Sequence, residues 1–152
     1  MTSRYIICDN FPAFSTNGQT LTFVTQFKYL GHVIRNDRCD DEDIKREIKA
    51  LFTRCNILTS RFKRCSRLVK MRLFQTYCIC FFGTALWSTF TSRTMQLFIT
   101  CFNKCVKRFF EFAKYDSVTD MFVSLGIPNA QNRLYSLNFG FMSTMAMSKS
   151  YC

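Results

Sequence analysis

No Asp or Glu occurs between Ile48 and Phe110, a run of sixty-three residues that carries twelve Lys and Arg. Such a one-sided chain suits the holding of a polyanion better than carboxylate chemistry. Glycine and proline are scarce, five and two of 152 residues against eighteen Phe. That balance points to a packed, mostly helical body and excludes the low hydrophobicity of disorder. There is one histidine, His32, and no Ser or Cys is placed by sequence to pair with it as a nucleophile. There is no Gly-rich phosphate loop. Nine cysteines include no C-x-x-C, so the paired ligand spacing of a structural zinc site is missing. Met1 to Phe14 has no basic region followed by a long apolar run, and does not read as a signal peptide.

What is present starts with charge. The formal net charge is +11, which bears on partners rather than on fold. Nucleic acid is the leading expectation, an anionic membrane surface the second. The cysteine number is odd, and most sit at apolar positions of helical patterns, where a reduced thiol acts as a small hydrophobe. A reducing compartment, cytoplasm or nucleus, follows. Leu73–Ser92 is uncharged over twenty residues but holds Gln75, Thr76, Thr84, Ser88, Thr89, Thr91 and Ser92. That is polar for a spanning helix, and a buried core helix is expected there, with no membrane partner.

The pattern predicts an α+β, mainly α, chain: a short N-terminal β-hairpin followed by four to five helices. Tyr5-Ile6-Ile7-Cys8 is a β-rich run, and Asn17-Gly18 is a tight-turn signal. Leu21, Phe23, Phe27, Tyr29, Leu30, Val33 and Ile34 form a β-prone segment. A weak boundary at 35–40 divides strands at 1–36 from helices at 37–152. Asp40 or Asp41 is expected to cap a helix over about 41–63, with the acids after it favouring the positive end of its dipole. Its apolar face is Ile44, Ile48, Leu51, Phe52, Cys55, Leu58 and Phe62. Ser66 is expected to start a second helix through Val69, Leu73, Phe74, Tyr77, Cys78, Phe81 and Phe82 toward Trp87, with Gly83 able to bend or end it. Ser92 is expected to start a third, with Met95, Phe98, Phe102, Cys105, Val106, Phe109 and Phe110 on one face. Ser117-Val118-Thr119-Asp120 resembles a capping box, Gly126 and Pro128 stop a short helix, and Asn129 starts a last one to about Met147. Leu134, Leu137, Phe141 and Met145 are expected to face inward.

The acidic cluster Asp37, Asp40, Asp41, Glu42 and Asp43 reads as a helix start, not a metal site, because neighbouring carboxylates point apart. No cofactor and no metal is expected. The basic residues fall into two groups. Lys45, Arg46 and Lys49 are i, i+3 and i+4 neighbours. Arg61, Lys63, Arg64, Arg67, Lys70 and Arg72 span the junction of the first two helices, where a turn concentrates charge. These bases are expected to bind sugar–phosphate backbone in a salt-dependent manner.

Phe27-Lys28-Tyr29-Leu30-Gly31-His32, followed by Asp40-Asp41-Glu42-Asp43-Ile44-Lys45-Arg46-Glu47-Ile48, resembles the C-terminal part of LINE-type (non-LTR) retrotransposon reverse transcriptases, the jockey-like group especially. Val69–Cys78, Ala85-Leu86-Trp87, Tyr115-Asp116-Ser117-Val118 and Met121–Leu125 before Ile127-Pro128 add to it. The resemblance covers about residues 15–140. It implies that Phe27, Tyr29, Leu30 and Gly31 correspond to the primer grip at the end of the palm. The following helices would then form a thumb that holds template and primer. It also implies palm aspartates for two metal ions, one in an early palm strand and a pair in a Tyr-x-Asp-Asp hairpin, both upstream of the primer grip. This chain has only Asp9 upstream of Phe27 and no such hairpin. The expectation is a fragment of an RNA-directed DNA polymerase, not an enzyme by itself, that contacts RNA or an RNA–DNA duplex and the palm and fingers of such an enzyme. The alternatives are a degenerate product without activity and a membrane-associated helical protein.

Overall fold

The computed structural model of the protein describes residues 14–81 and 83–148. The expected strand at Tyr5–Cys8, Asp9 and the helical position of Phe82 lie outside the described residues. Among the described residues two small antiparallel hairpins precede five α-helices, the mainly α, α+β class that the pattern predicts.

The first hairpin pairs β1 (Ser15–Thr16) with β2 (Gln19–Thr20). Its turn is Asn17-Gly18, with φ of +50° and +77°, the pair of left-handed residues that a two-residue turn of this twist requires. The β-prone segment beyond it is not one strand. It folds back on itself as β3 (Gln26–Tyr29) and β4 (His32–Arg35), with Phe27 opposite Ile34 and Tyr29 opposite His32. The second turn, Leu30-Gly31, has φ of +47° and +87°. Leu30 is a poor residue for that conformation, which is why its turn was not legible beside Asn17-Gly18.

Helix α1 (Asp41–Arg61) buries Ile44, Leu51, Cys55 and Leu58. Helix α3 (Ser92–Phe109) buries Phe98, Cys101, Phe102, Cys105, Val106 and Phe109. These stripes recur at three- and four-residue steps, so the two helices pack face to face. Thr91, one residue before the expected cap, accepts from the Thr94 amide and starts α3. Helix α4 (Val118–Leu125) opens as expected: the Asp120 amide donates to Ser117 Oγ, and Gly126 ends the helix at φ +62°.

The second helix is shorter than predicted. Helix α2 (Arg67–Tyr77) stops ten residues before Trp87, so Leu73–Ser92 is not a core helix. The Tyr77–Phe81 run is rich in aromatic, β-branched and cysteine residues, which favour helix weakly. It leaves the helical path so that Cys78, Ile79 and Phe81 can all turn inward. Gly83, at φ +74°, and a single 3₁₀ turn over Thr84–Leu86 return the chain to α3. No helix among the described residues is long and apolar enough to cross a membrane.

A continuous array of rings holds the helices. Phe74 lies 5.9 Å from Phe102, 5.9 Å from Phe109 and 5.6 Å from Phe110, centroid to centroid. Phe81 meets Phe98 and Phe102 edge-on, Trp87 meets Phe98, and Phe102 stacks on Phe122 of α4. Each buried ring contributes about 1.5–3 kcal/mol through apolar burial, with some further gain from edge-to-face geometry.

Helix α5 (Ala130–Ser148) departs from expectation in its second half. The Asn132 amide donates to Asn129 Oδ1 at its start, and Ala130 and Leu134 are buried. Phe141 and Met145, expected inward, are 38% and 48% exposed. The helix outruns the core it packs on.

Candidate nucleic-acid interface

The acidic cluster acts differently from a set of caps. Asp40 and Asp41 reach across to the segment that enters α3. The Ser88 and Thr89 amides donate to Asp40 Oδ2, and the Thr91 amide and hydroxyl donate to Asp41. Asp40 makes no side-chain cap bond to its own helix. Asp43 is buried and receives the Val33 amide, the Trp87 indole N–H and the Arg46 guanidinium, while His32 Nδ1 lies 3.1 Å from its Oδ2. Burial pushes this carboxyl up, but hydrogen bonds from Arg46, Trp87 and Val33 outweigh it and hold it below the ordinary carboxylate range. Asp41 is also depressed: burial is the largest single influence and raises it, but its bonds from the Thr91 amide and hydroxyl, with Thr94 and Cys39, together bring it down. The acids therefore tie the β3–β4 hairpin, α1 and the approach to α3 into one unit. Among the described residues no group of three or more His, Cys, Asp or Glu is arranged to hold a metal ion.

The β3–β4 hairpin presents the residues expected to correspond to a primer grip. Phe27, Tyr29 and Leu30 are 57%, 56% and 87% exposed, and Phe27 and Tyr29 have ring centroids 6.5 Å apart. Gly31 shares the tip with Leu30.

The bases do not form one surface. Lys49 and Arg61 lie about 18 Å apart along α1 and about 120° around it, from the helical rise and turn. In the first group, Lys45 Nζ lies 2.7 Å from Glu42 Oε1. Arg46 is paired with Asp43 and Glu47, and Glu47 also pairs with Arg54. Lys49 is exposed and makes no ion pair among the described residues. In the second group, Arg61, Lys63, Arg64 and Arg72 are exposed and unpaired among the described residues. Arg67 donates to the Ser124 carbonyl, which fixes the start of α2 against α4.

Lys70 requires a correction. It was expected on the binding face, but it is 8% exposed. Its Nζ lies 3.1 Å from Glu111 Oε1 and 5.9 Å from the centre of the Phe109 ring. The aliphatic stem packs on the aromatic core, and the ammonium meets Glu111, the first acid after the acid-free run. Residue type and spacing could not distinguish it from its exposed neighbours.

All seven described cysteines are free thiols. Cys55, Cys101 and Cys105 meet between α1 and α3, where the Cys55 thiol donates to the Cys105 carbonyl at 3.5 Å. The hydrogen bond with the Cys105 thiol draws Cys55 down to about 7, while bonds to Cys101 and Cys55 push Cys105 up. Burial pushes Cys78 up to about 12. These thiols fill the helix interface as small apolar groups.

The chain matches no family model, no curated protein and no solved structure. The residues that sequence reasoning missed are those of the Asp43 node. Trp87 is 44 positions from Asp43, and nothing local marks the pair.

Proposed function

We propose that this chain is a non-catalytic nucleic-acid-binding module, equivalent to the primer-grip and thumb region of a LINE-type reverse transcriptase. It contacts RNA or an RNA–DNA duplex through the α1–α2 junction. The observation that carries this reading is the exposure of Arg61, Lys63, Arg64 and Arg72 without carboxylate partners among the described residues. Unneutralised charge of this density releases counterions when it meets phosphate, and gives sequence-tolerant affinity. Lys45 and Arg46 contribute less, because Glu42, Asp43 and Glu47 already neutralise them. The exposed Phe27, Tyr29 and Leu30 on the hairpin would touch the primer end, or the palm of such an enzyme. The sequence offers no Tyr-x-Asp-Asp segment to hold the metals of phosphoryl transfer.

The test is fluorescence anisotropy with a labelled RNA–DNA hybrid. If three to five phosphates are neutralised, log affinity falls against log salt with a slope of about −2.7 to −4.5. Reversal of Arg61, Lys63 and Arg64 to Glu should abolish binding. Unchanged binding in that variant, or nucleotide incorporation by the unmodified chain, refutes the reading.

A second reading, a degenerate product without activity, is favoured by one observation. Phe14, Leu21, Phe23, Val24, Phe27 and Ile34 are all more than half exposed, an apolar load that a self-sufficient domain rarely carries on its hairpins and the segments beside them. A broad, poorly cooperative melt together with absent duplex binding would select it.

A further inference from the structure

A second surface lies away from the basic junction. A groove of about 660 Å³ runs between α1 and α3, with Gln26 and Val33 of the β3–β4 hairpin also lining it. Ile48 and Phe52 of α1 and Leu97 of α3 form an apolar floor, and Lys45, Lys49 and Lys104 stand around it. Leu97 is 51% exposed. The stretch from Lys45 to Phe52 covers about 10 Å of helix axis, enough for two turns of a bound helix.

The rim is electrically incomplete. Glu42 neutralises Lys45, and Asp43 and Glu47 neutralise Arg46. Lys49 and Lys104 have no ion-pair partner among the described residues, and they come from opposite walls. Two unmatched cations over an apolar floor complement a segment that is both acidic and apolar. A phosphate backbone would satisfy the lysines but leave Ile48 and Leu97 wet. A purely apolar segment would desolvate the lysines without replacing their water.

We propose that the α1–α3 groove docks a short acidic, amphipathic helix of a partner protein. Two or three aliphatic or aromatic side chains at i, i+3 or i+4, and i+7 seat on Ile48, Phe52 and Leu97, and flanking Asp or Glu meet Lys49 and Lys104. This is helix-in-groove recognition, with charge fixing register and speeding encounter. The site is separate from the junction bases, so it stands or falls independently of duplex binding.

The test uses a phage-displayed library of random peptides about 16 residues long, long enough for the spacing this mode requires, selected on the full chain at near-physiological salt. Enriched peptides should combine Asp or Glu with apolar residues at helical spacing. A selected peptide, made synthetically, should bind the Lys49→Glu/Lys104→Glu variant at least about tenfold more weakly, the size of effect expected for lost close charge pairs. The Leu97→Gln variant should also weaken it, whereas a scrambled peptide of the same composition should not bind. Circular dichroism checks that each variant keeps its helices, and the exposure of all three side chains favours that. The proposal is overturned if no peptide is enriched, if enriched peptides lack the acidic and apolar combination, or if both groove variants bind them unchanged. Loss of duplex affinity on Leu97→Gln, without peptide enrichment, would assign the groove to nucleic acid instead.

Discussion

The imidazole of His32 lies directly against the backbone of Gly83: a Cβ built on Gly83 would sit 1.6 Å from His32 Nε2. The hairpin end that carries His32 thus enters a notch that only glycine leaves open. Gly83 is also at φ +74°, where any side chain adds strain. The sequence pattern marks Gly83 only as a residue able to bend or end a helix.

Gly83→Ala should therefore be among the most damaging single-methyl additions in the protein. The expected loss is roughly 2–4 kcal/mol, from the left-handed backbone and displacement of His32 from Asp43. A thermal or urea melt measures it. In a His32→Ala background the same substitution should cost only about 1 kcal/mol, the backbone share alone. Equal costs in the two backgrounds would show that the ring contact is immaterial.

Asp43 leads to a pH prediction. Its carboxyl is depressed in the folded chain, so the unfolded chain binds more protons just below its usual value of 3.8. Stability then rises with pH through that window. The contribution is complete above the unfolded value and is lost as pH falls through the folded one. Asp43→Asn should cost about 3 kcal/mol at neutral pH, because Arg46 and His32 lose a buried partner. It should also flatten the acid limb of a stability-against-pH curve. An unchanged acid limb would assign that limb to other acids, Asp41 first.

Leu30 occupies φ +47° at 87% exposure, with nothing buried to offset the strain. Leu30→Asn should relieve about 1 kcal/mol, since Asn tolerates this region, and raise the melting temperature by about 3 °C for a chain of this size. If the tip contacts a primer end, the same variant should bind an RNA–DNA hybrid more weakly. Higher stability with unaltered binding would remove Leu30 from the proposed interface while leaving the junction bases in it. A strained, exposed apolar residue persists most easily where function uses it.

The helices were largely legible because their information is local. Phe98, Phe102, Cys105 and Phe109 repeat at helical spacing within α3, and Ser117 and Gly126 bracket α4. The site was legible only in part. Arg61, Lys63 and Arg64 could be named from composition at a junction, whereas the burial of Lys70 depends on Glu111, 41 residues away. The Asp43 node joins β4, α1 and the segment before α3. Each partner looks unremarkable alone, and the acids resembled caps because helix starts and cross-links use the same residue types. The early end of α2 was hidden for a related reason. Tyr77 to Phe81 is apolar at every step, so periodicity cannot tell a buried helix from a buried irregular segment.

Helix α5 provides the last prediction. Tyr135, Phe139 and Met142 are 72%, 76% and 66% exposed, so the turns beyond Asn138 bury little apolar area and add little to global stability. An isolated helical end of that length frays in water. Between Arg133 and Ser148 there is no Lys or Arg, which makes the segment invisible to trypsin but open to chymotrypsin. Limited chymotryptic digestion should cut first at Phe139 or Phe141 and leave a trimmed product. The melting temperature of that product should lie within about 2 °C of the parent, since a surface change within 0.5 kcal/mol moves it no further. Resistance of these bonds in the free chain would mean that a second copy covers the helix. Sedimentation of the undigested protein would then show a dimer.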